Sequence, residues 1–353
     1  ETPRFHHAPT HAQGFAMECH FYLKSPVAPR DVTIDALLRL EAGVRDVSTK
    51  NLPVATPLEW VLRSGGVMAM SHVDATQPFY LRWNLAHKSY QITVNLPTTR
   101  DDWQSLIGFI VRFTNAYKVP QITYEMGSDR PVNLPLERFT RDFPWQSLTL
   151  RSLRALRHQT QKAPFFLIPT VGRWHDVAFE RADLDWVFAG FDPVQRFSQL
   201  LRHRFERGKG VRLKFEAPTE NAPVGLFVAQ CHKVQLFPVT PYVMRDALTH
   251  SKGILDESTL TWEVLFQNVF GHDVVRMPYT HFLSHVSDDR YDWVDPNTVR
   301  VAPLLADEVV AIAQIDPQQP ARSHSPWVLQ RERWPEATPM VAFSPKTSSG
   351  IFG

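Results

Sequence analysis

From His87 to Gly127 the apolar and polar positions are ordered more regularly than anywhere else in the chain. Tyr90, Ile92 and Val94 alternate with Gln91, Thr93 and Asn95, the period of two expected of a strand with one face toward a core. Pro97 interrupts the run. Trp103, Leu106, Ile107, Ile110, Phe113 and Tyr117 then recur at helical spacing and predict an amphipathic helix. Thr99 stands at its N-cap, and Asp101 and Asp102 fall in the first turn, where carboxylates oppose the positive end of the helix dipole. After Pro120, Ile122, Tyr124 and Met126 alternate again. A strand that returns after a helix is expected to run parallel to the first, by a right-handed crossover. The Pro97-Thr98-Thr99 turn has no glycine, so it is not a phosphate-cradling loop. This unit reads as scaffold.

The same patterns predict elements on either side. Glu18–Lys24 reads as a strand, Thr33–Val44 as a helix, and Thr56-Pro57-Leu58-Glu59 as a capping box opening a short helix. Val67–Met70, Phe79–Leu85 and Tyr90–Val94 read as strands, the last two as a hairpin. Trp145–His158 is an amphipathic helix with Arg151, Arg154 and Arg157 on its polar face. Asp192-Pro193-Val194-Gln195 caps another, and strands are expected at 165–168, 177–179, 211–215, 225–229 and 234–237, the last two paired around Cys231-His232. Leu260–Phe266 alternates as a strand, Tyr279–Val286 reads as a helix, Val299–Val301 as a short strand, and Leu304–Ile312 as helix or strand. The pattern weakens among Pro131, Pro135 and Pro144, which suggests a domain boundary.

The expectation is therefore an α+β fold of mixed β-sheets with packed helices in two domains. Residues 17–133 form the first, with the strand-helix-strand unit, and residues 134–315 the second. Residues 1–16 read as a disordered tail or a remnant foreign to the fold, and residues 316–353 as a proline-rich extended tail.

Composition narrows the function classes. The 353 residues are 43% hydrophobic and 21% charged, with a formal net charge of +2. That is an ordinary globular composition, and the small charge argues against whole-chain electrostatic binding to nucleic acid or membrane. The two cysteines, Cys19 and Cys231, exclude a disulfide framework and an all-cysteine zinc site, and they fit a reducing, cytoplasmic setting. No apolar run approaches the length of a membrane span.

Three groups of residues are candidates for chemistry or binding. His281 and His285 stand at i and i+4, on one helix face, with Asp288 and Asp289 just after; this is a candidate metal site. Phe282 occupies the place of the glutamate in the zinc-protease helix motif. Basic residues cluster at Arg151, Arg154, Arg157, Arg202, Arg204, Arg207 and Lys209, while acidic ones gather elsewhere. This either presents a basic surface to a partner or pairs internally. His87-Lys88-Ser89 and His158-Gln159-Thr160 have the shape used by two-histidine phosphoesterases, but one is expected in a turn and the other at a helix end, where two imidazoles would not act as acid and base together. No Gly-x-Ser-x-Gly elbow is present, and adjacent Cys231 and His232 on a strand would point to opposite faces.

The stretches SYQITVNLPTTRDDW (Ser89–Trp103) and FDPVQRFSQLLRHRF (Phe191–Phe205) resemble an uncharacterised bacterial family, a domain of unknown function, over much of residues 17–315. Their motifs are fold punctuation, and the resemblance brings no catalytic residues; it implies a bacterial cytoplasmic protein. The function expected is binding or assembly without catalysis, as a subunit or accessory of a larger protein complex and with no cofactor or membrane partner. The alternatives are a metal-dependent hydrolase of phosphodiesters built on His281, His285 and Asp288 or Asp289, and a nucleic-acid binder using the basic helix faces.

Overall fold

The computed structural model describes residues 17–333 except 48–51, 54, 64–65, 128, 161–164, 171–175, 217–222 and 243–259, together with the backbone of 340–341. The expected N-terminal tail lies outside the described residues.

The N-terminal part contains, in chain order, β1 (Glu18–Leu23), α1 (Ile34–Leu38), β2 (Val44–Asp46), α2 (Leu58–Leu62), β3 (Val67–His72), β4 (Phe79–Asn84), β5 (Ser89–Asn95), α3 (Arg100–Ala116), β6 (Gln121–Met126), β7 (Val132–Pro135), α4 (Leu136–Asp142) and α5 (Trp145–Gln159). Its strands form one seven-stranded sheet in the order β2-β3-β4-β5-β1-β6-β7, with every neighbouring pair antiparallel. β5 and β6 are both antiparallel to β1 and hence parallel to each other, as the strand-helix-strand pattern predicts, but β1 is inserted between them. A local pattern cannot reveal a strand supplied from seventy residues upstream.

The alternation of β1, β4, β5 and β6 puts their apolar residues on one face. Phe21, Leu81, Tyr90, Ile92 and Ile122 pack there with Trp103, Phe109, Ile110 and Phe113 of α3 in a single cluster. Phe143 anchors its centre, with ring centroids 5.2 Å from Phe21 and 5.3 Å from Trp103; tilted and edge-on rings of this kind are favoured over face-to-face stacks. Thr99 caps α3 as expected, its Oγ1 accepting from the Asp102 N–H at 3.1 Å.

Several local expectations are corrected. The helix expected over 33–44 is confined to α1: Gly43 takes a φ of +88° and the chain turns there into β2. Before α2 there is no capping box. Pro57 is the N-cap residue without a side-chain bond, and the segment is held instead by Leu58 N–H to Val32 C=O (2.7 Å) and Ile34 N–H to Thr56 C=O (3.0 Å). The boundary expected after residue 133 falls inside β7, which pairs with β6, and the first apolar cluster continues through Phe139 and Phe143 to Leu148.

Further along lie β8 (Phe165–Ile168), β9 (Val177–Glu180), α6 (Arg181–Phe188), α7 (Pro193–Phe205), β10 (Arg212–Glu216), β11 (Val224–Gln230), β12 (Gln235–Pro238), β13 (Thr261–Gln267), β14 (Asp273–Pro278), α8 (Tyr279–His285), β15 (Tyr291–Asp295), β16 (Thr298–Val301), α9 (Ala306–Ala313), α10 (Pro326–Arg333) and β17 (Met340–Val341). They build a four-stranded sheet, β10-β11-β13-β14, and two three-stranded sheets, β12-β16-β15 and β17-β8-β9. The β11–β13 and β17–β8 pairs are parallel and the others antiparallel, so the fold is α+β with mixed and antiparallel sheets. β11 and β12 do not form the expected hairpin. The chain turns at His232, with φ +63°, and the two strands enter different sheets.

Two further apolar clusters hold this part. One gathers Phe227, Phe237, Phe266, Phe282 and Val309. The other gathers Phe166, Phe179, Leu184 and Phe197 with Leu153 and Leu156. Because Leu148 belongs to the first cluster, α5 is shared between two cores. Within the stretch read as an extended C-terminal tail, α10 is helical and carries the buried Gln330.

Candidate functional site

The side of the large sheet opposite α3 is polar, yet much of it is closed to solvent. Pairing register sets its rows. Tyr80 of β4, Thr93 of β5, His20 of β1 and Glu125 of β6 lie side by side, as do Arg82, Gln91, Tyr22 and Thr123. Asn95 lies opposite Glu18. Ser71, Tyr80, Ser89, Gln91, Thr93 and Asn95 are all buried. An antiparallel sheet with one covered face ordinarily shows its polar side to water, whereas here the polar residues of β5 are buried on that side too.

Around His20 the groups are satisfied. Gln91 Nε2 donates to His20 Nδ1 (3.2 Å), and the Thr93 hydroxyl lies 2.9 Å from the same nitrogen. Nδ1 is thus an acceptor, and the imidazole hydrogen belongs on Nε2, which faces Glu18 Oε2 at 3.6 Å. Burial lowers the His20 pKa from its ordinary value, against the opposing pull of Glu18 and Glu125, so the ring is held neutral. The Tyr22 hydroxyl donates to Glu125; burial and then this bond raise its pKa.

Some polar atoms at and beside this sheet have no partner. Asn95 Nδ2 and Oδ1, Ser89 Oγ and Arg82 Nε are buried without a hydrogen-bond partner, as are both side-chain heteroatoms of Gln77 and the hydroxyl of Thr98. Each such atom costs about 1–3 kcal/mol, and native folds hold few of them. Gln77, Asn95 and Thr98 fall at one end of the sheet. Phe79 pairs with Val94, so Gln77 lies just before the paired part of β4 and Asn95 just after it on β5.

Beside them the start of α3 is tied off by Asp102. Its carboxylate accepts from Thr76 N–H (2.9 Å), Thr76 Oγ1 (2.6 Å) and Thr99 Oγ1 (2.7 Å). Burial raises its pKa in spite of these bonds. The site contains donors, acceptors and a neutral imidazole, but no activated nucleophile: Cys19 points to the opposite, apolar face, where burial raises its thiol pKa.

The residues singled out from sequence lie elsewhere. His281 and His285 do share a helix face, their ring centroids 4.5 Å apart. His281 Nε2 is bonded to the Ile312 carbonyl and His285 Nδ1 to the carbonyl of His281, each at 2.9 Å. Asp288 and Asp289 belong to a separate 3-10 turn, and hydrogen bonding from Ser287 lowers the Asp289 pKa. Among the described residues no three His, Cys, Asp or Glu side chains are grouped to hold a metal ion.

Four of the seven residues of the basic cluster are ion-paired, and of these only Arg204 is nearly buried. Arg151 pairs with Asp129 and lines a cleft of about 270 Å³ with Tyr124, Glu125 and Arg130. Arg157 pairs with Asp185 (2.7 Å), Arg202 with Asp101 (2.6 Å) and the nearly buried Arg204 with Asp183 (2.7 Å). Arg154, Arg207 and Lys209 make no ion pair with a described residue. His87 lies in the β4–β5 turn and His158 in the last turn of α5, so the two His-x-Ser/Thr motifs do not share a site.

No sequence signal marked His20, Asn95 or Gln77 as functional. The alternation of β5 did mark Gln91, Thr93 and Asn95 as sharing one face; the burial of that face was the missing information.

No helix among the described residues is long and apolar enough to cross a membrane. No curated protein and no solved structure matches the chain. One family pattern does match, over residues 66–312 and thus well over half of the sequence, and the chain belongs to that family, a domain of unknown function, DUF4299.

Proposed function

We propose that this protein is a non-catalytic binding protein whose ligand is held by the polar side of the seven-stranded sheet. The observation that carries the reading is Asn95, whose carboxamide is buried with neither heteroatom partnered. A fold stable by about 5–15 kcal/mol does not gain from such a group; a ligand that pairs with it does. The neutral His20 and the lack of an activated nucleophile favour binding over catalysis. The biological setting that fits is a subunit or accessory of a bacterial cytoplasmic assembly.

Equilibrium urea unfolding of refolded, ligand-stripped protein tests this. Asn95→Leu, close in volume and free of polar atoms, is expected to be more stable than wild type by about 1–3 kcal/mol, the behaviour of a residue kept for function against stability. A loss of stability of that size would show that the carboxamide serves the fold, and the reading would fall.

A further inference from the structure

The cleft of about 270 Å³ lies where the β6–β7 hairpin meets the start of α5, on the α3 side of the large sheet and away from His20 and Asn95. Tyr124 and Val132 are cross-strand partners, so their side chains share that face. Tyr124, Met126 and Leu148 are buried members of the first apolar cluster and form the inner wall, with Val132 and Pro144 beside them. Val132 is 42% exposed, and with the exposed Arg130, Ser147 and Arg151 it stands at the mouth.

The charges of this lining do not cancel. Glu125 alternates with Tyr124 and Met126 and so points to the opposite face of the sheet, where its carboxylate accepts the Tyr22 hydroxyl. Asp129 is paired with Arg151. Arg130 also lines the cleft and has no carboxylate partner among the described residues, which leaves one positive charge in excess. The first turn of α5 forms the adjoining wall at Pro144, Ser147 and Leu148. It has no side-chain cap and no acidic residue, so the helix dipole adds to the positive potential.

An apolar wall beside one uncompensated cation fits a ligand with an apolar body and a single negative charge. The volume is just under the about 300 Å³ at which pockets admit drug-sized molecules, which limits that body to one ring or a short branched chain. A carboxylate matches both the charge and the planar fork of a guanidinium. We infer that this cleft binds a small apolar carboxylate, its body against Tyr124, Met126 and Leu148 and its anionic group on Arg130. Arg151 has five N–H donors, more than Asp129 alone takes up, and offers a second contact to the same group. The site shares no residue with the surroundings of Asn95, so either can stand without the other.

Ligand-observed saturation-transfer NMR on the full chain tests this with phenylacetate, phenylacetamide and acetate, each titrated separately. Phenylacetate is expected to bind saturably, with a dissociation constant in the millimolar range or tighter, as so small a ligand allows. Phenylacetamide, similar in shape but uncharged, should bind at least about tenfold more weakly, and acetate, which lacks the ring, should not saturate. Arg130→Gln alters an exposed side chain and should erase the preference for the acid while leaving the affinity for the amide unchanged. Val132→Trp, also at an exposed position, fills the cleft and should abolish binding of both, with an unchanged circular dichroism spectrum showing that the fold is kept. Equal affinity for acid and amide, or a preference that survives Arg130→Gln, would overturn the carboxylate assignment. No saturation with phenylacetate, or saturation undiminished in Val132→Trp, would overturn the site itself.

Discussion

Asp102, in the first turn of α3, accepts the hydroxyl hydrogen of Thr76 at 2.6 Å, and so fastens the connection between β3 and β4 to the start of the central helix. The same carboxylate receives Thr99, the residue that caps that helix. One buried acid therefore joins a helix cap to a loop more than twenty residues upstream. Thr76→Val removes one donor from a fully buried carboxylate and is expected to lower stability by about 1–3 kcal/mol, measured as a shift in urea midpoint at unchanged slope. Hydrogen exchange of residues 73–78 should quicken in the same variant.

A second junction lies between α3 and α5. The indole N–H of Trp103 donates to Thr149 Oγ1 at 2.8 Å, and that hydroxyl donates in turn to the Trp145 carbonyl at 3.0 Å. Both side chains are buried. Thr149→Val keeps the shape and strands the indole donor, at an expected cost of about 1–3 kcal/mol. Thr149→Ser, which keeps the acceptor and gives up only the methyl group, should lose less; undiminished stability of Thr149→Val would show that the bond contributes nothing.

The buried Asp295 predicts a particular pH dependence. Burial raises its pKa to about 6, against the lowering influence of Arg204 and the hydrogen bonds it accepts. In the unfolded chain the proton leaves near about 3.9. Between those values the folded state binds more protons than the unfolded one, so this group's stabilising contribution is full below about pH 4 and is lost as pH rises through about 6. The total is on the order of 3 kcal/mol. Asp295→Asn should remove that fall, as read from urea midpoints across the interval.

Gln330 holds α10 in place. Its Nε2 donates to the Pro296 carbonyl (3.1 Å) and Asn297 Oδ1 (2.8 Å), and its Oε1 accepts from Thr240 Oγ1 (2.6 Å). Gln330→Ala abandons three buried partners. The helix is expected to detach locally, seen as faster proteolysis within residues 326–333, with about 2 kcal/mol lost at most if the rest of the fold stays intact.

The sequence by itself determined the local architecture wherever a pattern runs through consecutive residues. The alternation of Tyr90, Ile92 and Val94 and the caps at Thr99 and Asp192 depend on neighbours in the chain and appear as read, whereas the buried stripe of α3 is Trp103, Leu106, Phe109, Ile110 and Phe113, with Ile107 and Tyr117 only half-buried. It did not reveal that β1 lies between β5 and β6, that β11 and β12 part into different sheets, or that Gly43 ends α1 early. Those outcomes depend on which distant strand supplies the missing hydrogen bonds. The candidate site was hidden for the same reason. Asn95 and Gln77 are unremarked polar residues until the sheet closes over them, and His281 and His285, conspicuous in the sequence, bond to backbone carbonyls once α8 is packed against α9. Periodicity is a property of a segment, whereas desolvation and the loss or gain of a partner belong to the assembled fold, and only the tertiary structure decided them.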